Sequence, residues 1–246
     1  MKLAIVSDIH GNLPALEAVV ADFTRRGVDA VINLGDSLSG PLLPRETAHF
    51  LMAQDWVHLA GNHERQILEA QAPRGASDAY ARAQLGSAEL EWIAGLGPSL
   101  DYAEDVLLCH GSPRSDLEYL LETVEPGRLR LASAREIEQR LDGATEALVL
   151  CGHSHLPRSL RTPRGQLLVN PGSVGVPGYV ASAPYPHVVE NGAPDARYAI
   201  VERHGAVWRA NLIAVPYDFA PMAQLALQRG RPEWQRALAT GYPTRA

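Results

Sequence analysis

The chain is expected to fold as an α/β protein built on a mainly parallel sheet, with later strands added in antiparallel fashion. Short apolar runs near the amino terminus alternate with helical patterns in the order strand, loop, helix, and the unit recurs three times. Beyond residue 100 the apolar runs follow one another through shorter connections. A length of 246 residues with 46% hydrophobic content suffices for a substantial core in one domain spanning 1–246.

Leu3 to Val6 reads as a short buried strand. After Gly11, the residues Leu13, Leu16, Val19, Val20 and Phe23 recur at helical spacing until Gly27 stops the helix. The second unit is a strand at Ala30 to Leu34 and a helix from Arg45 to Gln54; the third is a strand at Val57 to Ala60 and a helix from Glu64 to Ala70. Two Ala-, Glu- and Arg-rich blocks, Ala72 to Ser99 and Pro113 to Asp142, predict surface helices, the second broken at Pro126-Gly127. Further strands are expected at Val106 to Cys109, Ala147 to Cys151, Gln166 to Val169, Tyr198 to Glu202 and Val207 to Ile213. The stretch 176–194 holds Pro177, Gly178, Pro184, Pro186, Gly192 and Pro194, which predicts a long loop. Residues 216–246 read as a helical extension with a fraying end.

Composition excludes several function classes. With 22 basic against 28 acidic side chains the net charge is -6, which offers no basic face for stable nucleic-acid binding. Lys2 is the only lysine, so no Gly-Lys-Ser/Thr exists to form a nucleotide-binding P-loop. No apolar run approaches the ~20 residues that a membrane span needs, and nothing at the start resembles a secretory signal, so a cytoplasmic protein without membrane attachment is expected. Cys109 and Cys151 end apolar runs and are expected as buried free thiols without a disulfide. No Gly-x-Ser-x-Gly elbow surrounds Ser112 or Ser173, which argues against a serine hydrolase.

The polar residues cluster at strand ends: Asp8-Ile9-His10, Gly35-Asp36, Gly61-Asn62-His63, His110-Gly111 and Gly152-His153-Ser154-His155. Open α/β sheets place their sites at the carboxyl ends of strands. Singly, each residue has a structural explanation: Asp8 as a helix cap, Asp36 as a turn former, His110 as a satisfied strand-end histidine. Together they hold five of the nine histidines, each cluster beside a glycine that permits tight turns. Mixed imidazole and carboxylate donors suit borderline divalent ions such as Mn, Fe, Co, Ni or Zn better than Mg or Ca. A carboxylate can bridge two such ions, and Asp36 is the candidate. A purely structural zinc site fits poorly, because neither cysteine has a partner at ligand spacing.

Asp8-Ile9-His10-Gly11-Asn12, Gly35-Asp36, Gly61-Asn62-His63-Glu64, His110-Gly111 and Gly152-His153-Ser154-His155 resemble the five ordered motifs of the calcineurin-like metallophosphoesterases. Gly35-Asp36-Ser37, the His110 to Arg114 run and Asn170-Pro171-Gly172-Ser173 are similar to the small bacterial and archaeal phosphodiesterase branch. The resemblance covers roughly the first 175 residues. It implies a four-layer αββα sandwich of two mixed β-sheets flanked by helices. It further implies that Asp8, His10, Asp36 and His155 hold one metal, while Asp36, Asn62, His110 and His153 hold the other, with manganese foremost. His63 matches the non-ligand histidine that protonates the leaving oxygen or steadies the phosphate charge. The implied reaction is attack of a hydroxide bridging the ions on a small-molecule phosphate ester, with Asn12 and Arg114 as candidate substrate contacts.

The pattern departs from that branch after Ser173, where Val174-Gly175-Val176-Pro177 replaces a Gly-Gln-Pro-Arg type turn. Tyr179 and Tyr185 in the stretch that follows could stack on a base or simply pack on the surface. The resemblance also implies a homodimer as one assembly open to the chain. The alternative function is a metal-binding scaffold or regulatory interaction protein of the same fold with little activity.

Overall fold

Alternating burial along the central strands decides the layering. The computed structural model describes residues 1–69 and 75–244. Strand β1 (Lys2–Val6) turns Leu3 and Ile5 to one side and Ala4 and Val6 to the other, and all four are buried, so both faces of its sheet are covered. In that sheet β1 pairs in parallel with β2 (Ala30–Asn33), and β2 with β3 (Val57–His58). On its other side β1 meets β13 (Ala196–His204) antiparallel, and β13 meets β14 (Val207–Val215).

The second sheet runs in the order β4 (Ser99–Ala103), β5 (Val106–Cys109), β8 (Leu148–Leu150), β10 (Leu167–Asn170), β9 (Arg158–Arg161). Its three central strands are parallel and both edge strands antiparallel. Leu108, Leu150 and Val169 face Ile5, Leu34 and Leu59 of the first sheet and form the central core. Each fully buried leucine there contributes about 2 kcal/mol. On the outside, Leu16, Val19 and Phe23 of α1 (Leu13–Arg26) cover Ala4, Val6 and Tyr198. Ile137 of α6 (Ala134–Arg140), with Leu120 and Leu121, covers Cys109, Val149 and Cys151. Helix, sheet, sheet and helix therefore stack as the expected αββα sandwich, and both cysteines are buried free thiols. Among the described residues no helix is long and apolar enough to cross a membrane.

Helix α1 is set by its ends: Asn12 Oδ1 accepts from the Ala15 amide at 3.3 Å, Pro14 occupies the first turn, and Gly27 at φ +66° stops it. The remaining early helices are α2 (Pro44–Met52), α3 (Asn62–Leu68), α4 (Ala76–Gln84) and α5 (Ser87–Ala94). The expected end of α3 at Ala70, the start of the Ala72 block and the final two residues of the end expected to fray lie outside the described residues.

Three expectations are corrected. The block from Pro113 to Asp142 is not helical throughout: β6 (Glu122–Glu125) and β7 (Arg128–Leu131) form a hairpin across Pro126-Gly127, with Gly127 at φ +79°. Proline fixing one turn position and glycine supplying the left-handed one make a turn rather than a helix break. The stretch 176–194 also holds a hairpin, β11 (Gly178–Ala181) with β12 (His187–Glu190), whose Val188 and Val189 alternate between exposed and buried. Its prolines fall in the flanking segments and so remove no ladder hydrogen bond. Strand β4 starts at Ser99, the last residue of the block expected to be helical, and continues past it along a sheet edge, where pairing with β5 fixes it as a strand. Residues beyond 216 form α7 (Ala220–Gln228) and α8 (Pro232–Thr240).

Candidate metal centre

The polar clusters stand at the carboxyl ends of the parallel strands of both sheets, which meet at one rim of the sandwich. Asp8 and His10 follow β1, Asp36 follows β2, and Asn62 and His63 open α3 just beyond β3. From the second sheet, His110 follows β5 and His153 and His155 follow β8. Asp8, His10, Asp36, His153 and His155 have φ of 56°, 50°, 54°, 65° and 58°. Left-handed backbone costs a non-glycine residue about 1 kcal/mol or more and persists where the surroundings impose it, typically at functional sites. Gly61 permits the closest approach of two of these loops, since a Cβ there would lie 2.2 Å from Asp36 Oδ1.

Two groups of side chains result: Asp8, His10 and His155 in one, Asp36, His110 and His153 in the other, the donor atoms of each within 4.8 Å of one another. In the first, His10 Nε2 lies 3.2 Å from His155 Nε2, which lies 3.3 Å from Asp8 Oδ1. In the second, His110 Nε2 is 3.1 Å from Asp36 Oδ2 and 3.2 Å from Asn62 Oδ1. All seven residues expected as ligands are therefore brought to this rim.

The rings are aimed by backbone carbonyls. Nδ1 of His10, His110 and His155 lies 2.7, 2.9 and 2.7 Å from the carbonyl oxygens of Ser39, Leu34 and Val176. Each Nδ1–H donates, leaving Nε2 to face the centre, which is how metal-binding histidines are oriented. Burial, and then neighbouring His155, pushes the His10 pKa down to about 4, so its ring is neutral. His10 Nε2, His155 Nε2 and Asp8 Oδ1 thus converge on one buried point. Such a donor set fits a divalent cation. Burial opposes charge on Asp8 and His110, but His155 brings the carboxyl to about 2 and Asp36 raises the imidazole to about 10. In the metal-free protein His110 is thus protonated, and that proton must leave before it can bind an ion.

His63 stands apart from both groups. Its Nδ1 donates to Asp78 Oδ1 at 2.7 Å, its Nε2 lies 4.0 Å from Asp36 Oδ2, and its side chain retains 27% exposure toward the cleft. Burial lowers its pKa, but Asp36 and Asp78 together raise it to about 9, so it carries a proton at neutral pH. Glu64, the last residue of the Gly61 motif, accepts from the amides of Gly61, Asp36 and Ser37, each at 2.8 Å.

Neither expected substrate contact reaches the cleft. Asn12 is fully buried, and besides capping α1 its Nδ2 donates to the Gly175 carbonyl and to Tyr217 Oη, both at 2.9 Å. Arg114 forks onto Glu118 at 2.6 and 2.8 Å and does not line the cavity. That cavity, about 1120 Å³, has His10, Asp36, Asn62, His153 and His155 at its floor. Asp78, Tyr119, Tyr179, Arg140, Arg231 and Trp234 complete much of its wall. Of these, only Tyr179 drew notice in the sequence. The others sit in segments that read as surface helix, without a motif to mark them.

A sequence model described as the calcineurin-like phosphoesterase superfamily domain matches residues 1–188. The phosphodiesterase YfcE of Escherichia coli K12 is 30% identical over 181 residues, covering 72% of this chain and 81% of that protein. The Methanocaldococcus jannaschii protein MJ0912 is 23% identical over 94% of both chains. A metallophosphoesterase structure from Sphaerobacter thermophilus superposes with a TM-score of 0.78 at 26% identity, covering 98% of this chain and 99% of the other.

Proposed function

Since the chain belongs to the calcineurin-like phosphoesterase superfamily, we propose that it is a dinuclear metal-dependent phosphodiesterase acting on a small-molecule phosphate ester. The observation that carries this is the pair of abutting His/Asp groups with a protonated His63 beside them. Asp8, His10 and His155 would hold one ion and Asn62, His110 and His153 the other, with Asp36 shared. Manganese is foremost among Mn, Fe, Co, Ni and Zn for this mixture of imidazole and carboxylate. When bound, such ions supply Lewis acidity and make water nucleophilic near neutral pH.

The chain's own contribution falls to His63. The Asp78 carboxylate fixes Nδ1–H, so the second proton resides on Nε2, which faces the cleft. It can be handed to the departing ester oxygen, or can hold the negative charge of the phosphate as the ester bond breaks. Asp8 and Asp36 together neutralise half the charge of two divalent ions, leaving the floor attractive to an anion within an acidic protein.

The test is to load purified protein with manganese and offer bis(p-nitrophenyl) phosphate and p-nitrophenyl phosphate side by side. The diester is expected to turn over faster. Turnover of the monoester alone would overturn the diesterase assignment. Bound metal with no turnover of either would favour the scaffold alternative. His63→Ala is expected to keep its metal content and lose roughly 100-fold in turnover; an unchanged rate would remove His63 from the mechanism.

A further inference from the structure

The two carboxy-terminal helices are a wall of the cleft. Leu42 packs with Met222, Ala223, Ala226 and Leu238, which fastens α7 and α8 to the loop after β2. Arg229 reinforces the docking by donating to the Pro41 and Leu42 carbonyls. This docking carries Trp234 into the cavity lining, edge-on to His10 with ring centroids 6.1 Å apart and planes at 80°. Gly40, at φ +154°, makes the placement possible, since a Cβ there would lie 2.8 Å from the indole.

The indole stands on a definite side of the centre. His63 bonds Asp78, whose neighbour Ser77 accepts from Arg231 Nη1 at 3.2 Å, and the Arg231 guanidinium lies 5.7 Å from the Trp234 ring centre. The indole therefore borders the pocket on the side of His63, where the ester oxygen departs. Across the floor, the Tyr179 ring lies 4.6 Å from that of His155, and its hydroxyl is 2.5 Å from that of Tyr119. Charge in the upper cavity is balanced: Arg65 pairs with Glu69 and Arg231 with Glu233. Arg140 is engaged by the Leu120 and Glu122 carbonyls and by Thr123 Oγ1. Among the described residues no surplus of positive charge lies there for a second phosphate, whereas aromatic faces are what an uncharged flat ring needs.

Resting on the phosphodiesterase reading, we propose that Trp234 forms a leaving-group subsite for a flat aromatic group, so that the substrate is a phosphodiester whose departing alcohol carries a nucleobase or aryl ring. The cavity has room for a group of nucleoside size, since pockets that enclose drug-sized ligands run from roughly 300 to 1,000 Å³.

The experiment measures competitive inhibition of bis(p-nitrophenyl) phosphate hydrolysis in the manganese-loaded protein by AMP, phenyl phosphate and ribose 5-phosphate. These three monoesters present the same phosphate with a nucleobase, an aryl ring or no ring. At least one ring-bearing ester is expected to inhibit about tenfold more tightly than ribose 5-phosphate. AMP tightest identifies a nucleobase; phenyl phosphate equal to or tighter than AMP identifies a simple aryl group. Trp234→Ala is expected to close that gap and raise KM for the bis-aryl diester together. It leaves the Ki of ribose 5-phosphate and the metal content unchanged, which shows the variant is folded. Trp234→Phe, which keeps a flat ring, should retain most of the gap. Equal inhibition by all three esters in the wild type, or an undiminished gap in Trp234→Ala, would overturn the subsite while leaving the phosphodiesterase reading intact. No turnover by the wild type, read before any inhibitor is added, would defeat the phosphodiesterase reading and the subsite with it.

Discussion

Replacing Glu64 separates the scaffolding of the centre from its ligands. The carboxylate is fully buried; Oε2 accepts from the Asp36 and Gly61 amides and Oε1 from the Ser37 amide. It thereby ties the loop after β2, which carries Asp36, to the turn that leads into α3, where Asn62 and His63 stand. Glu64→Gln can place its amide oxygen where Oε2 stood and keep two of these bonds, but its NH2 then faces the Ser37 N–H. One lost bond and two opposed donors cost about 2 kcal/mol. Glu64→Ala leaves three buried amides without an acceptor, at about 1–3 kcal/mol each. Burial and the nearby Asp36 charge raise the Glu64 pKa, so removing the carboxylate also relieves some unfavourable charge. A net loss of about 4 kcal/mol is the expectation for Glu64→Ala, given those opposing contributions. Urea unfolding of the metal-free proteins measures both losses, and manganese titration should show affinity falling about 10- to 100-fold as Asp36 loses its support. A Glu64→Ala protein within 1 kcal/mol of wild type, with unaltered manganese affinity, would refute the claim that this carboxylate holds the two loops together.

Two further changes address other links. Asp78→Asn keeps an acceptor for His63 Nδ1 but removes the charge that helps keep the ring protonated; turnover should fall about tenfold or more with metal content unchanged, as steady-state rates and metal analysis would show. Tyr198→Phe removes the hydroxyl that donates to Asp22 Oδ2 at 2.7 Å, and urea unfolding at pH 7 should report a loss of about 1–2 kcal/mol. Burial raises the Asp22 pKa, but Arg26, Tyr198 and Arg25 outweigh it and hold it below its ordinary value. That stabilisation is therefore full above the unfolded value and lost as pH falls through the folded one. The Tyr198→Phe deficit should shrink in acid, and a deficit that grew there would contradict the assignment.

What the sequence discloses is what short stretches of chain can specify. The alternating faces of Leu3 to Val6, the cap and stop of α1, and the Asp and His residues beside glycines are all local patterns, and each ligand-bearing loop lies directly after its strand. Asp78 and Trp234 are different. Asp78 meets Ser39 and His63 only because α4 packs over both, and Trp234 meets His10 across more than 200 residues of chain. No local pattern marks a residue whose role is created by such distant contacts. Asn12 shows the converse: it belongs to the first motif, yet its side chain is consumed by Ala15, Gly175 and Tyr217, so motif membership does not place it in the cleft. The hairpin over 178–190 was obscured because its strands are only four residues each, within reach of the same prolines that punctuate a loop.

The centre should also be the least stable part of the protein without its ions. Two imidazoles, fixed by carbonyls 2.7 Å from each Nδ1, hold their Nε2 atoms 3.2 Å apart beside the buried Asp8 carboxylate. Five ligand residues are held in left-handed backbone, each at about 1 kcal/mol or more. A cation finds these donors gathered only in the folded chain and so binds it in preference to the unfolded one. At 100 times its dissociation constant each ion adds about 2.7 kcal/mol, which for a chain of this length raises the melting temperature by roughly 5–10 °C. Thermal unfolding with saturating manganese and again after chelation measures this rise. His155→Ala, which removes one ring of the first group, should lose the share of that rise due to that group. Identical melting temperatures with and without manganese would mean that these side chains do not clasp an ion, whatever their arrangement suggests.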